Sequence, residues 1–287
     1  MSLDAFRCRS LTSETIGALQ GGATNVSDVY VAALWALDFL PEISKIGAVR
    51  HNFHGGAVGV VGGPGYAAIL FESADPHSKI QIRPVYYGLL AFSTLVSNHS
   101  RWVHSTITCN SPPSEDPGAT TCPNGAAHAN VDEQGRLKIV VISKELRECS
   151  PSEEAAAGCN STFRVRVAGP SRYQHAAAML SLHPGVEAGQ SRRGITWAGQ
   201  TFDKSVDGKP VGVRTVETVQ GKLDGTDGSL VFEVRAQPLA SASGAGTALA
   251  LSLIEPFGSG DTAAALGGTT HDRSYRCASR SDTQSVI

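Results

Sequence analysis

One carboxylate in this chain stands where its neighbours suggest chemistry. Glu14 closes a short apolar-to-polar run over residues 5–12 and is followed by a loop containing Gly21-Gly22. Two histidines, His51 and His54, lie three apart, a spacing that a strand turns to opposite faces. No cysteine or carboxylate stands beside them at metal-ligand spacing, which argues against zinc, and the cysteines show no zinc-ribbon arrangement. Gly62-Gly63-Pro64-Gly65 lacks the Gly-Lys-Ser/Thr ending of a phosphate loop, and there is no Gly-x-Ser-x-Gly elbow for a serine nucleophile. Cys109 and Cys122 bracket a Pro/Ser/Gly loop, and Cys149 and Cys159 bracket a Ser/Glu/Ala loop. Loops closed by nearby cysteines read as local disulfides, which leaves Cys8 and Cys277 without partners. With Asn-x-Ser/Thr acceptors at Asn25, Asn98 and Asn160, they point to an extracellular or secretory-pathway protein. The first 30 residues carry no basic stretch ahead of an apolar one, so no signal peptide is expected within them.

The elements that must position these residues fall into two styles. Asn25 or Ser27 is placed to cap a helix whose apolar positions Tyr30, Ala33, Leu34, Leu37 and Leu40 recur at three- and four-residue spacing. Pro41 should kink or divide that helix, and Gly47 should stop it. A short strand is expected over 48–53, ended by Gly55-Gly56, then a glycine-rich loop reaching Pro64, Gly65 and Tyr66. Pro84 suits the first turn of a second helix running through Tyr86, Tyr87, Leu89, Leu90, Phe92 and Leu95. Alternating strands and helices are the repeat of an α/β barrel or a doubly wound sheet.

From about residue 100 helical periodicity gives way to short β-rich runs at 102–108, 136–143, 163–168, 195–198, 211–217, 229–235 and 247–254. Turn signals at 132–135, Asp207-Gly208, Asp224-Gly225 and Asp227-Gly228 separate them, which suggests an antiparallel β-sandwich. The expected organisation is therefore 1–98 as an α/β part, 99–255 as a sandwich, and 256–287 as a flexible tail. The sandwich should bury a core of its own, whereas the helices of 1–98 present apolar faces with no completed sheet to cover them. A net charge of -2 with 17% charged residues argues against nucleic acid as a partner, and no apolar run is long enough to span a membrane.

Four segments, in order, resemble glycoside hydrolase family 79, which holds β-glucuronidases and heparanase. They are Ser-Glu-Thr-Ile-Gly-Ala-Leu-Gln-Gly-Gly at 13–22, Ala-Leu-Trp-Ala-Leu-Asp-Phe-Leu at 33–40, His-Asn-Phe-His-Gly-Gly at 51–56 and Arg-Pro-Val-Tyr-Tyr-Gly-Leu-Leu at 83–90. In the β-rich half, residues 136–143, Trp197-Ala198-Gly199-Gln200-Thr201-Phe202 and Ser241-Ala242 are similar to later family segments. The resemblance spans roughly residues 5–255. It implies the last two βα units of a (β/α)8 barrel followed by a C-terminal β-sandwich.

A retaining glycosidase works with two carboxyl groups roughly 5–5.5 Å apart, one a nucleophile and one a general acid/base. The resemblance makes Glu14 the nucleophile and places the acid/base glutamate on an earlier strand, upstream of Met1. Gly21 and Gly22 are placed to bring backbone N–H groups close to a sugar carboxylate, and Tyr66, after Gly65, to offer it a hydroxyl; the alternatives are a plain tight turn and a packed tyrosine. The chain departs from the family pattern at Ile16 and Gly17, where a polar pair is usual, and at Leu19, where tyrosine is common. The implied partner is a glucuronic-acid-containing carbohydrate, with no cofactor and no metal. Two readings follow. One is a C-terminal fragment of a β-glucuronidase-like hydrolase, inactive alone for want of its acid. The other is a non-catalytic β-sandwich module that sits beside a carbohydrate-active domain.

Overall fold

The computed structural model describes residues 22–48, 50–53, 56–57, 67–71, 80–107, 125–144, 161–168, 173, 176–185, 189–205, 207–236 and 247–253. Two helices, a three-stranded sheet and a nine-stranded sheet account for their regular structure.

Helix α1 (Tyr30–Lys45) follows the apolar spacing, burying Tyr30, Ala33, Leu34, Leu37 and Leu40. It also buries Ala32, Ala36 and Pro41, because neighbours cover it on more than one side. Two expectations need correction. Neither Asn25 nor Ser27 is the cap: that position is Val29, which offers no side-chain bond. The first helical N–H groups of Tyr30 and Val31 instead donate to the carbonyls of Ser191 and Gly189, at 2.8 and 3.2 Å. A distant loop thus satisfies donors that a cap residue would otherwise take. Nor does Pro41 divide the helix, which runs on to Lys45. Proline removes one N–H from the ladder, yet Pro41 lies buried within the helix. Gly47 does end the helix, in the left-handed region with φ of 96°.

Helix α2 (Pro84–Leu95) has Pro84 in its first turn, as the sequence predicts. It crosses α1 closely: a Cβ built on Gly88 would stand 2.2 Å from the Ala33 carbonyl oxygen. Only glycine permits that approach.

Ahead of α2, β1 (Gly56–Ala57) pairs parallel with β2 (Ile69–Phe71), and β2 pairs antiparallel with β3 (Ile80–Ile82). The strand expected over 48–53 is not there: residues 50–53 run without strand pairing and β1 begins after them. No closed barrel is present among the described residues, and the antiparallel pairing of β3 departs from the all-parallel order of a barrel.

The large sheet comprises β4 (Arg101–Val103), β5 (Gly125–Val131), β6 (Leu137–Ser143), β7 (Ser161–Val167), β8 (Ala176–His183), β9 (Thr196–Trp197), β10 (Glu217–Leu223), β11 (Leu230–Ala236) and β12 (Thr247–Leu253). Its order is β4-β5-β6-β12-β8-β10-β11-β7, with β9 beside β8, and every pairing is antiparallel. The expected sandwich of two sheets meets one continuous path of strands. That path changes partner within β10, where Glu217–Gln220 pair with β8 and Gly221–Leu223 pair with β11. Gly221 is needed at this point, since a Cβ there would lie 2.7 Å from the Phe232 ring. Beyond it, Phe232, Val234, Val165 and Val167 share a core with Ile139, Val141, Met179, Leu249 and Leu251.

The sheet's other face carries Ala126, Val140, Ile142, Leu182 and Trp197, which share a second core with Tyr30, Leu37, Tyr87 and Leu95 of the helices. The sheet therefore covers the helix faces expected to lie bare. Period-2 alternation along β5, β6 and β8 divides the side chains between the two cores. Two hydroxyls tie the layers together. Tyr30 donates to the Leu182 carbonyl at 3.0 Å, and Tyr87 accepts the Phe202 N–H at 2.8 Å.

Candidate functional site

Of the residues singled out for substrate, Gly22 alone is described. It has φ of 80° and opens the turn that leads into α1. Glu14, Gly21, Gly65 and Tyr66 lie outside the described residues, as do all six cysteines, His54 and Asn160. Asn25 and Asn98 are both exposed.

Just beyond Gly22 the chain builds a charged cluster from three separate elements. Ser27 Oγ accepts the Ala23 N–H at 3.1 Å, and Asp28 Oδ1 accepts the Asn25 N–H at 2.7 Å, which fixes a compact turn. Arg192, between β8 and β9, donates from Nε to Asp28 Oδ2 at 2.8 Å and from Nη2 to Asn25 Oδ1 at 2.5 Å. Arg83, at the start of α2, brings Nη2 within 3.8 Å of the same Asp28 oxygen. Burial lowers the affinity of the Arg83 guanidinium for its proton, Asp28 opposes this, and nearby Arg192 adds to it. One carboxylate thus organises two guanidinium groups beside the turn that leads into α1. The cluster is a clamp between elements and contains no second carboxylate for acid/base work.

A second cluster joins α1 to the sheet. His128, 2% exposed on the helix-facing side of β5, places Nε2 2.8 Å from Asp38 Oδ1 and Nδ1 2.9 Å from Lys45 Nζ. Glu42 Oε1 lies 3.3 Å from Nδ1 and 2.9 Å from Lys45 Nζ, and Lys144 Nζ reaches Asp38 Oδ2 at 2.9 Å. Partial burial pushes the Asp38 carboxyl upward. Hydrogen bonds from His128 and Lys144 outweigh it and hold the group below the ordinary carboxylate value. Asp38, Glu42 and Lys45 recur at four- and three-residue spacing, which puts them on one side of α1. The alanine-rich partner strand β5 gives no strand signal, so the sequence does not link them to His128.

An open cavity of about 310 Å³ lies between the C-terminal part of α1, residues 48–53 and α2, lined among others by Leu40, Arg50, His51, Phe53, Leu89 and Phe92. The His51 ring meets Phe39 and Phe53 edge-on at 5.3 and 4.7 Å, and burial lowers its proton affinity. Among the described residues no three His, Cys, Asp or Glu side chains gather as a metal site, and no helix is long and apolar enough to cross a membrane.

No protein-family model and no curated protein matches the sequence. Among solved structures, the chain is similar to the catalytic domain of GH30 xylanase C from Talaromyces cellulolyticus. The TM-score is 0.39 and the identity 10%, over 86% of this chain and 38% of that one. It is also similar to the GH51 arabinofuranosidase from Xanthomonas axonopodis pv. citri. There the TM-score is 0.43 and the identity 13%, over 79% of this chain and 36% of that one. The chain spans less than two-fifths of either glycoside hydrolase.

Proposed function

We propose that this chain is the C-terminal part of a retaining, β-glucuronidase-like glycoside hydrolase that acts on glucuronic-acid-containing glycans or glycosides. The observation that carries the reading is how its recognisable segments meet. Residues 33–40 and 83–90 touch at the Ala33–Gly88 contact, and residues 197–202 reach Tyr87 through the Phe202 N–H. Segments far apart in the chain, each similar to family 79, therefore assemble into one scaffold. Gly22 opens the turn into α1, and the Asp28–Arg83–Arg192 clamp ties that turn to the start of α2 and to the loop before β9. The twin disulfides, the glycosylation and the secreted location belong to the same proposal.

In this reading Glu14 attacks the anomeric carbon and the leaving group takes its proton from an acid on an earlier barrel strand. Gly21, Gly22, Gly65 and Tyr66 face the sugar carboxylate. The 287-residue chain should then leave aryl β-glucuronides at the background rate. Turnover by this chain that disappears in Glu14→Gln would show that it holds its own acid. An activated 2-fluoro-glucuronyl donor needs little acid assistance to load a nucleophile. In a protein carrying these residues behind a complete set of barrel strands, it should label Glu14. A label on another residue overturns the assignment of Glu14.

A further inference from the structure

We propose that the cluster around His128 is a proton-operated exchange between α1 and the sheet, in which the ring gives up Lys45 and takes Glu42. Lysine ammonium has donors only, so the 2.9 Å contact from Lys45 Nζ makes Nδ1 an acceptor. The ring is then neutral, with its proton on Nε2 and directed at Asp38 Oδ1, 2.8 Å away. A proton from solvent can enter only at Nδ1. Once there, it sets a positive ring against a positive ammonium at hydrogen-bond distance, and the contact becomes repulsive.

The geometry already supplies the second partner. Glu42 Oε1 lies 3.3 Å from Nδ1 and can accept the new N–H bond after a small closure. Among the described residues, each charged group in contact with the ring or its first partner has a place in the exchange. Asp38, Glu42 and Lys45 come from α1, and Lys144, just past β6, holds Asp38 Oδ2 at 2.9 Å. Asp38 is held below the ordinary carboxylate value, so it stays an anion and keeps Nε2 in both states. The ammonium is the mobile member. Its side chain is 30% exposed and it lies over the Trp102 ring of β4, 6.0 Å from the centroid. Release from His128 frees it to leave that ring face as well. The last turn of α1 is therefore joined to the sheet by lysine when the ring is neutral and by glutamate when it is charged.

Trp102 reports the exchange. Tryptophan emission of the full chain should change reversibly on acidification, as the ring takes up its proton. The change should be absent in Trp102→Phe, which assigns it, and absent in Lys45→Met, which has no ammonium to move. Its amplitude should fall by half or more in Glu42→Gln, where the charged ring loses its new acceptor. Glu42 is 59% exposed and Lys45 partly exposed, so both variants should fold. The nitrogen resonances of the wild-type ring provide a check that needs no variant: at the alkaline end the proton must reside on Nε2. A proton on Nδ1, or a transition that survives in Lys45→Met, overturns the proposal.

Discussion

His183 shows what burial does to one residue. It ends β8, where it pairs with Thr196 of β9, and its Nδ1 is buried with no hydrogen bond among the described residues. Burial lowers its proton affinity, and Glu217 only partly compensates. A histidine with a depressed folded value binds its proton more readily in the unfolded chain. Its contribution to stability is complete above the unfolded value of about 6.5 and is lost as pH falls below it. The thermal midpoint should therefore drop on acidification below that point, and His183→Gln should flatten the drop. His51 is depressed by burial as well, so some slope remains in the variant. Asp38 and Asp132 are also held low, but as carboxylates they add their losses in a more acidic window. An identical slope in wild type and His183→Gln between pH about 5 and 6.5 would contradict the assignment.

At the scale of elements, the two helices depend on one missing side chain. Gly88 faces the Ala33 carbonyl so closely that a methyl group cannot enter unless the helices part. Gly88→Ala should lower stability by at least about 1–3 kcal/mol, the usual cost of overpacking, even though alanine favours a helix more than glycine does. A denaturation midpoint equal to or above that of the wild type would mean that the helices do not approach in this way.

The same scale shows what the sequence discloses. Helix α2 is legible because Pro84 fixes its start and apolar residues keep its period. Strands β5 and β8 are hidden because Ala126, Ala127 and Ala129, and Ala176, Ala177 and Ala178, are helix formers that only tertiary pairing draws into strands. Strand β10 lies at 217–223 rather than 211–217. Val211, Val213 and Val216 look like strand residues but are exposed, and alternation cannot reveal burial. For the site, periodicity locates Asp38, Glu42 and Lys45 on a helix. It cannot bring His128 to them, nor Arg192 to Asp28 across 164 residues. Those contacts depend on the strand order.

At the scale of the whole molecule, the boundary expected near residue 98 has a core running across it. Tyr30, Leu34, Leu37, Tyr87 and Leu95 from the helices pack with Val140, Ile142, Leu182 and Trp197 from the sheet. Each buried side chain of this size contributes about 1.5–3 kcal/mol, so lifting both helices off the sheet costs on the order of 10 kcal/mol. The hydroxyls of Tyr30 and Tyr87 add buried bonds that would be left unmade. That sum is comparable to the stability of an entire domain. Limited proteolysis under native conditions should therefore fail to separate the two. Whichever peptide bonds are cut, fragments carrying residues 30–45 and 84–95 should elute together with the strands until denaturant is added. Recovery of a folded sheet free of both helices would show that the shared core contributes little. The helices would then need a different cover, as the sequence alone suggests.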